Sequence, residues 1–96
     1  MHLTIFDLAT IADHLSDIQE LTKLLSLSNL CTHQICQCKN DWEDSKNLVP
    51  FHLFALETLE DFLPYLTLDT VIDGLNVMNK KNVVWRLYKY RCICCV

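Results

Sequence analysis

The stretch PFHLFALETLEDFLPYL, residues 50–66, is the part of the sequence that decides the fold most clearly. It opens with Pro50, which suits the first position of a helix because the N–H that proline lacks would have no partner there. Its apolar residues recur at steps of three and four, which is typical of a core-facing helical stripe. Pro64 is expected to end or bend this helix near Leu63. The stripe consists of Ala55, Leu56, Leu59, Phe62, Leu63 and Leu66, and Glu57, Glu60 and Asp61 are expected on the solvent side.

The composition predicts a single all-α domain. Of the 96 residues 51% are apolar, and one glycine and two prolines are too few for a turn-rich β protein. Apolar segments at helical spacing predict a compact six-helix antiparallel bundle over residues 1–92, followed by a cysteine-rich tail over residues 93–96. No apolar run approaches the ~18 residues of a membrane span, and the N-terminus lacks the basic start of a secretory signal. We therefore expect a cytoplasmic location.

Capping signals and apolar spacing predict the helices that precede this stretch. Thr4 with Asp7 is expected to cap helix 1, and Ser16 with Gln19 to cap helix 2. Residues 30–37 are predicted to form a short helix 3. The predicted inward residues are Ile5, Leu8, Ile11, Ala12 and Leu15 in helix 1, and Ile18, Leu21, Leu24 and Leu25 in helix 2.

The polar segment after helix 3 is interpreted as a loop, because residues 38–49 show no apolar period, and Trp42 is expected to fold back from it onto the core.

Within helix 5, which is expected to start at Thr67, Gly74 indicates close packing of a neighbouring helix. Asn79 is expected to end helix 5. Helix 6 is predicted over residues 83–92, with Asn82 as its cap and with Val84, Leu87 and Tyr88 pointing inward.

Charge is unevenly distributed along the chain. Residues 1–78 hold all twelve acidic residues and three lysines, a net of −9, whereas residues 79–96 hold five basic residues and no acid. One interpretation is a solvated helix end, because cations are favoured near a helix C-terminus. Another is a pair of complementary surfaces, through which an acidic patch of one copy meets a basic patch of the next. The acidic balance of the whole chain does not favour nucleic-acid binding.

The six cysteines form two groups with different interpretations. Cysteines beside basic residues in the tail KYRCICCV suggest S-palmitoylation, and a membrane is expected as a partner only if these cysteines are lipidated. The other group lacks the usual CxxC spacing of zinc ligands, so reduced cytosolic cysteines are favoured and no cofactor is expected. The weak metal-ligand candidates are Cys31, His33, Cys36 and Cys38, and the tail cysteines are Cys92, Cys94 and Cys95.

The sequence contains no recognisable catalytic arrangement. It has no Ser–His–acid spacing, phosphate-binding loop or HExxH motif. Cys31 and His33 are two positions apart, and residues at that separation do not face each other on a helix. We therefore expect a protein that is not an enzyme.

Two blocks of the sequence resemble the death-effector domain of the death-domain superfamily. FDLATIADHLSDIQELTKLLSL, residues 6–27, is similar to the first two helices of the family, and residues 52–90 are similar to its run through helices 4 to 6. The two blocks cover most of the chain, and their shared pattern is mainly the spacing of apolar residues. The resemblance implies a death-fold-like bundle that binds other death-effector domains.

The resemblance also implies where partners bind. The family has a charge triad, formed by an acid in helix 2 and an Arg-x-Asp-Leu motif at the start of helix 6. Glu20 stands at the position of the acid, and Lys80, Asn82 and Val83 stand at Arg, Asp and Leu, so two of the three triad positions are changed. Residues 26–27 occupy the place of the family's Phe-Leu contact motif. With the charge pattern, these positions give a candidate partner-binding set: Glu20, Ser26, Leu27, Glu57, Glu60, Asp61, Lys80, Lys81, Asn82 and Arg86.

The function implied by the resemblance is homotypic binding that modulates death-receptor and initiator-caspase assembly, and hence apoptosis. The expected partners are a death-receptor adaptor or an initiator caspase, together with a second copy of this chain. A free-standing copy without a second module resembles a regulator or decoy, as viral inhibitors of initiator-caspase activation are.

The alternative is an adaptor, viral or cellular, of a cullin-RING ubiquitin ligase. SLSNLCTHQI, residues 26–35, fits the elongin-binding pattern small-Leu-x3-Cys-x3-Ile, which on one helix would place Leu27, Cys31 and Ile35 on one face. Residues 11–31 also resemble an F-box, without its usual Leu-Pro start. A third interpretation is a structural helical bundle within a larger assembly.

Overall fold

The computed structural model describes residues 3–94, with side chains to residue 89. This part of the chain forms six α-helices and one 3-10 turn. The helices are α1 (Ile5–Asp13), α2 (Ile18–Leu27), α3 (Thr32–Ser45), α4 (Phe51–Asp61), α5 (Leu68–Val77) and α6 (Lys81–Cys94), and the 3-10 turn is Leu63–Tyr65. Residues 3–94 include no strand, so the predicted all-α class with six helices is confirmed.

The helices pack in two groups that share one core. α1 contacts α4 and α6, α2 contacts α3 and α5, and the α3–α4 and α5–α6 contacts join the two groups. The Cα radius of gyration, 13.0 Å, is close to the ~13 Å expected of a compact chain of about 100 residues. The largest fully buried side chains are Leu8, Ile11, Leu21, Leu24, Leu25, Leu59, Val71, Leu75, Val83 and Leu87.

Local hydrogen bonds confirm two of the predicted helix ends. Thr4 Oγ1 accepts from the Asp7 N–H at 3.2 Å, and Asp7 Oδ2 accepts from the Thr4 N–H at 2.8 Å, which completes the capping box of α1. Asn79 has a φ of 60°, and the Lys80 N–H donates to the Leu75 carbonyl at 2.8 Å. This geometry ends α5 as a left-handed cap does, and asparagine tolerates it better than most residues.

The cap of α2 lies one residue beyond the predicted one. Asp17, not Ser16, accepts from the Glu20 N–H at 3.0 Å, and Glu20, not Gln19, accepts from the Ser16 N–H at 2.6 Å. Ser and Asp are both good N-caps and Gln and Glu both suit the third position, so the sequence supports two registers. The acidic register is favoured because it also places a carboxylate at the positive end of the helix dipole.

The predicted loop over residues 38–49 is wrong, because α3 continues to Ser45. Ile35, Cys38 and Trp42 recur at steps of three and four, and all three contact the core. Trp42 lies 5.1 Å, centroid to centroid, from both Phe51 and Phe54, so its expected packing against the core is confirmed. Three well-separated apolar residues in a polar helix form a stripe too narrow to give a clear apolar period.

The central stretch forms α4, with Pro50 just outside it as the N-cap and not as its first residue. The helix ends at Asp61 and a 3-10 turn containing Pro64 follows, which confirms the expected proline stop. Leu59 is buried as predicted, whereas Leu56 is only partly buried. The buried residues of α4 are Phe54, Ala55, Thr58 and Leu59.

Three further predictions for the first and last helices are wrong. Ile5 and Tyr88 were expected to point inward, but both side chains are 49% exposed. Asn82 was expected to cap helix 6, but it lies inside α6, where the Lys80 carbonyl already accepts from the Val83 and Val84 N–H groups. The turn at Asn79 leads directly into α6, so no separate cap is needed.

Gly74 allows α2 and α5 to approach closely, as its position within helix 5 predicted. A Cβ atom at Gly74 would lie 2.8 Å from Leu24 Cδ1 and 3.5 Å from Leu27 Cβ. Leu24 is fully buried, so its methyl group has little room to move. The missing side chain at Gly74 therefore determines the spacing of these two helices.

We predict that Gly74→Ala lowers the free energy of unfolding by about 1 kcal/mol. Overpacking typically costs ~1–3 kcal/mol, and the higher helix propensity of alanine returns only ~1 kcal/mol. In a Leu24→Val background, which removes the opposing methyl group, the same substitution should instead be stabilising. Urea unfolding measures both effects, with exposed Asn76→Ala on α5 as the propensity control. Stabilisation of the wild-type background by Gly74→Ala would contradict the close approach.

Candidate functional site

An ion pair joins the start of α2 to the turn that follows α5. Lys80 Nζ lies 3.1 Å from Glu20 Oε2, and the two side chains are 18% and 31% exposed, respectively. The Asp17 cap and the Ser16 N–H hold Glu20 from the α2 side, and the Asn79 turn directs Lys80 towards it. The structure thus brings together two of the predicted partner-binding residues.

The environment of Glu20 favours its charged form. Partial burial removes water and by itself raises the pKa of Glu20. The hydrogen bond from the Ser16 N–H and the contact with the Lys80 ammonium outweigh this effect and hold the pKa below its usual value. Glu20 and Lys80 therefore form a charged contact of the folded state and are less free to bind a partner.

A shallow open groove lies beside this ion pair. It has a volume of about 240 Å³ and is lined by Asp17, Gln19, Glu20, Lys23 and Met78. These side chains supply charges and an amide around one thioether, which suits contact with a polar protein surface better than the enclosure of a small ligand.

The other predicted partner-binding residues lie in three exposed places. Ser26 and Leu27 lie at the exposed end of α2, and Leu27 is close to Gly74 of α5. Glu57, Glu60 and Asp61 are exposed along the second half of α4, and Lys81, Asn82 and Arg86 are exposed on α6. Within residues 3–89 the ion pairs are Lys46–Glu43 and Lys80–Glu20, so the α4 acids and the α6 cations do not neutralise each other there.

The candidate metal ligands do not converge. No three His, Cys, Asp or Glu side chains within the described residues lie close enough to hold a metal ion. Cys31 and Cys36 are exposed, whereas Cys38 is buried against the core. A second groove of about 180 Å³ lies between α3 and α4, and its lining includes His33, Cys38 and Asp61.

Burial makes the Cys38 thiol unreactive. Loss of solvent raises the pKa of Cys38 to about 11, and the nearby Asp41 carboxylate acts in the same direction, while a hydrogen bond with Thr58 opposes them. At neutral pH the thiolate is therefore scarce, and the thiolate is the form that attacks substrates and binds metals. The tail cysteines lie outside the described side chains.

The helical face expected for elongin binding is absent. Leu27 is the last residue of α2, Cys31 is the N-cap of α3, and Ile35 lies within α3. Between the two helices Asn29 has a φ of 68°, and the Leu30 N–H donates to the Leu25 carbonyl. The expectation that these three residues share one helix face is wrong, because a left-handed turn separates them.

The sequence interpretation missed the outward aromatic residues of α6. Trp85 is 61% exposed, and Tyr88, which was expected to point inward, is 49% exposed. The available signal was the spacing of Lys81, Trp85 and Lys89, which at steps of four share one side of a helix.

The described part of the chain has no helix that is both long enough and apolar enough to cross a membrane. Comparison with protein-family models, with curated proteins and with solved structures gives no match.

We predict that Glu20 and Lys80 stabilise the fold jointly. A double-mutant cycle with Glu20→Gln and Lys80→Gln should give a coupling free energy of about 0.5–1 kcal/mol, because both side chains are shielded from solvent. The Glu43–Lys46 pair on α3 is the control, since it is exposed and should give ~0.3 kcal/mol or less. Urea unfolding at low salt measures both cycles, and equal couplings would contradict a special role for Glu20–Lys80.

The coupling should also depend on pH in one direction. The pKa of Glu20 is lower in the folded than in the unfolded state, so its contribution is complete above the ordinary glutamate pKa of ~4.3. It should fade as the pH falls through the lower folded-state pKa. A coupling that instead grows on acidification would contradict this assignment.

We predict that Cys38 is alkylated about a hundredfold more slowly than Cys36 in the native protein at pH 8. The pKa of Cys38 near 11 leaves little thiolate, and burial hinders the reagent. Peptide mapping after iodoacetamide treatment gives both rates within one sample, and unfolding in urea should make them similar. Equal native rates would contradict the burial of Cys38.

Proposed function

We propose that the chain is a non-enzymatic, homotypic protein-interaction module of the death-effector type. It would act in the cytoplasm to modulate the assembly of death receptors with initiator caspases, and hence apoptosis. The observation that carries the proposal is the 3.1 Å contact between Glu20 and Lys80. The resemblance places these two residues at the charge triad of the family, although they lie sixty positions apart in the sequence.

The burial of one further position of the family motif also supports the proposal. Val83, which stands at the leucine of the family motif, is fully buried, as an apolar anchor at the start of α6 should be. Asn82, which stands at the aspartate, is exposed and uncharged. The surface around Lys80 therefore carries one negative charge fewer than the family motif would place there, which favours partners with acidic surfaces at this end of α6.

The docking surfaces are the three exposed places that the ion pair leaves available. The end of α2, with Ser26 and Leu27, offers a small apolar contact. The acidic side of α4 and the cationic side of α6 offer opposite charges that are not paired with each other within residues 3–89. Two different surfaces on one module allow head-to-tail contacts. The same chain can therefore join a linear assembly of similar domains or terminate it.

No observation favours the ubiquitin-ligase alternative. The left-handed turn at Asn29 separates the residues of the elongin-binding pattern, and those residues would have to rearrange into one helix to use it. Elongin and the adaptor that binds F-boxes therefore serve as the comparison partners in the binding experiment.

The experiment measures binding of the purified chain to immobilised death-effector domains from a death-receptor adaptor and from an initiator caspase. The wild-type chain should bind at least one of them and should not capture elongin. Leu27→Glu and the double variant Glu57→Lys/Glu60→Lys should each weaken binding tenfold or more, since charge reversal at an interface removes complementarity.

Matched controls separate interface effects from general ones. Leu48→Glu places the same charge on an exposed leucine of the α3–α4 connection, and Asp13→Lys/Asp44→Lys reverses two charges on other helices. Both controls should bind as the wild type does. Capture of elongin without binding to any death-effector domain would overturn the proposal, and so would equal losses in variants and controls.

A further inference from the structure

The outward side of α6 combines aromatic and cationic residues. Trp85 is 61% exposed, and Tyr88 is about half exposed. Lys81, Arg86 and Lys89 are exposed on the same helix. These residues give one exposed side of the helix both aromatic and cationic character, and this surface is called the α6 aromatic–cationic face below.

The buried side of α6 determines which way this face points. Val83, Val84 and Leu87 are buried in the core, where α6 contacts α1 and α5. With ~100° between successive residues, the side opposite these three is centred on Trp85 and Lys89. The Lys89 ammonium lies 4.9 Å from the centre of the Trp85 ring, which confirms that the two share one patch.

We propose that the α6 aromatic–cationic face binds the surface of an anionic lipid bilayer. Tryptophan and tyrosine rings are favoured at the level of lipid headgroups, where an apolar body and a polar edge are both satisfied. Lys and Arg beside them attract acidic headgroups while their aliphatic stems lie along the apolar boundary.

Charge along the chain favours a bilayer over a compact acidic protein. After Asp73 the sequence contains five basic residues and no acid, and it continues past Lys89 with Tyr90, Arg91 and the apolar Ile93 and Val96. An extended cationic segment of this kind is complementary in charge to an extended anionic surface. Because the whole chain has a net charge of −4, an anionic bilayer repels its other surfaces, so binding should occur through α6.

This inference does not depend on lipidation, and it shares Lys81 and Arg86 with the docking surface of the proposed function. Acyl chains on the tail cysteines would each add affinity, but the side chains of α6 provide the first contact without them. The unmodified protein, purified under reducing conditions, is therefore the form to test.

The test is sedimentation of the full chain with phosphatidylcholine vesicles, with and without phosphatidylserine. We expect binding only with phosphatidylserine, weakened by salt. Each cation removed by Arg86→Gln or Lys89→Gln should weaken partitioning about fivefold. Lys23→Gln and Lys39→Gln remove exposed cations from α2 and α3, and these controls should sediment as the wild type does.

Tryptophan fluorescence reports the contact directly. Trp85 should shift to shorter wavelength and become quenched by brominated lipid, and Trp85→Phe, which leaves only Trp42, should lose both signals. Equal sedimentation with and without phosphatidylserine, equal losses in controls and variants, or quenching that persists in Trp85→Phe would each overturn the proposal. So would binding of poly-glutamate to this face with no vesicle binding, which would assign it to an acidic protein.

Discussion

The close approach of α2 and α5 is the constraint on which the arrangement of the molecule depends. Gly74 meets Leu24 and Leu27 in the second half of α2, and Lys80 meets Glu20 near the start of α2. These two points fix α2 and α5 as antiparallel neighbours, one through the absence of a side chain and the other through opposite charges. The α2–α3 and α5–α6 contacts extend this pair to the helices on either side of it.

Charged residues in this small domain serve two separate purposes. Glu20 and Lys80 are partly shielded from water, and Glu20 is also held by a backbone N–H, so their charges act within the fold. The acids of α4 and the cations Lys81 and Arg86 are exposed, so their charges face solvent. Lys80 therefore contributes to the folded structure, whereas the next residue, Lys81, is exposed at the surface.

Most of the architecture could be predicted from the sequence because the signals were strong and local. The apolar stripes of α2 and α5, the Thr4 cap, the proline stop and the asparagine turn each depend on a few neighbouring residues. The length of α3 was missed because its core contact depends on three well-separated side chains in a polar helix. The exposure of Ile5 and Tyr88 depends on which neighbours cover them, and spacing alone does not contain that information. The Glu20–Lys80 contact could not be predicted from spacing, since no local pattern links residues so far apart.

The narrow attachment of α3 has a consequence for motion. Every residue of α3 is described, and Cys38 is the only one of them that is buried. In α2, four of the ten residues are buried. Backbone amides exchange with solvent through local opening, and segments with few buried contacts open at the lowest free-energy cost. The amides of α3 should therefore exchange well before those of α2 and α5, so that the molecule has a slow-exchanging centre and one helix that detaches on its own. Trp42, stacked on Phe51 and Phe54, would be the last contact of that helix to separate.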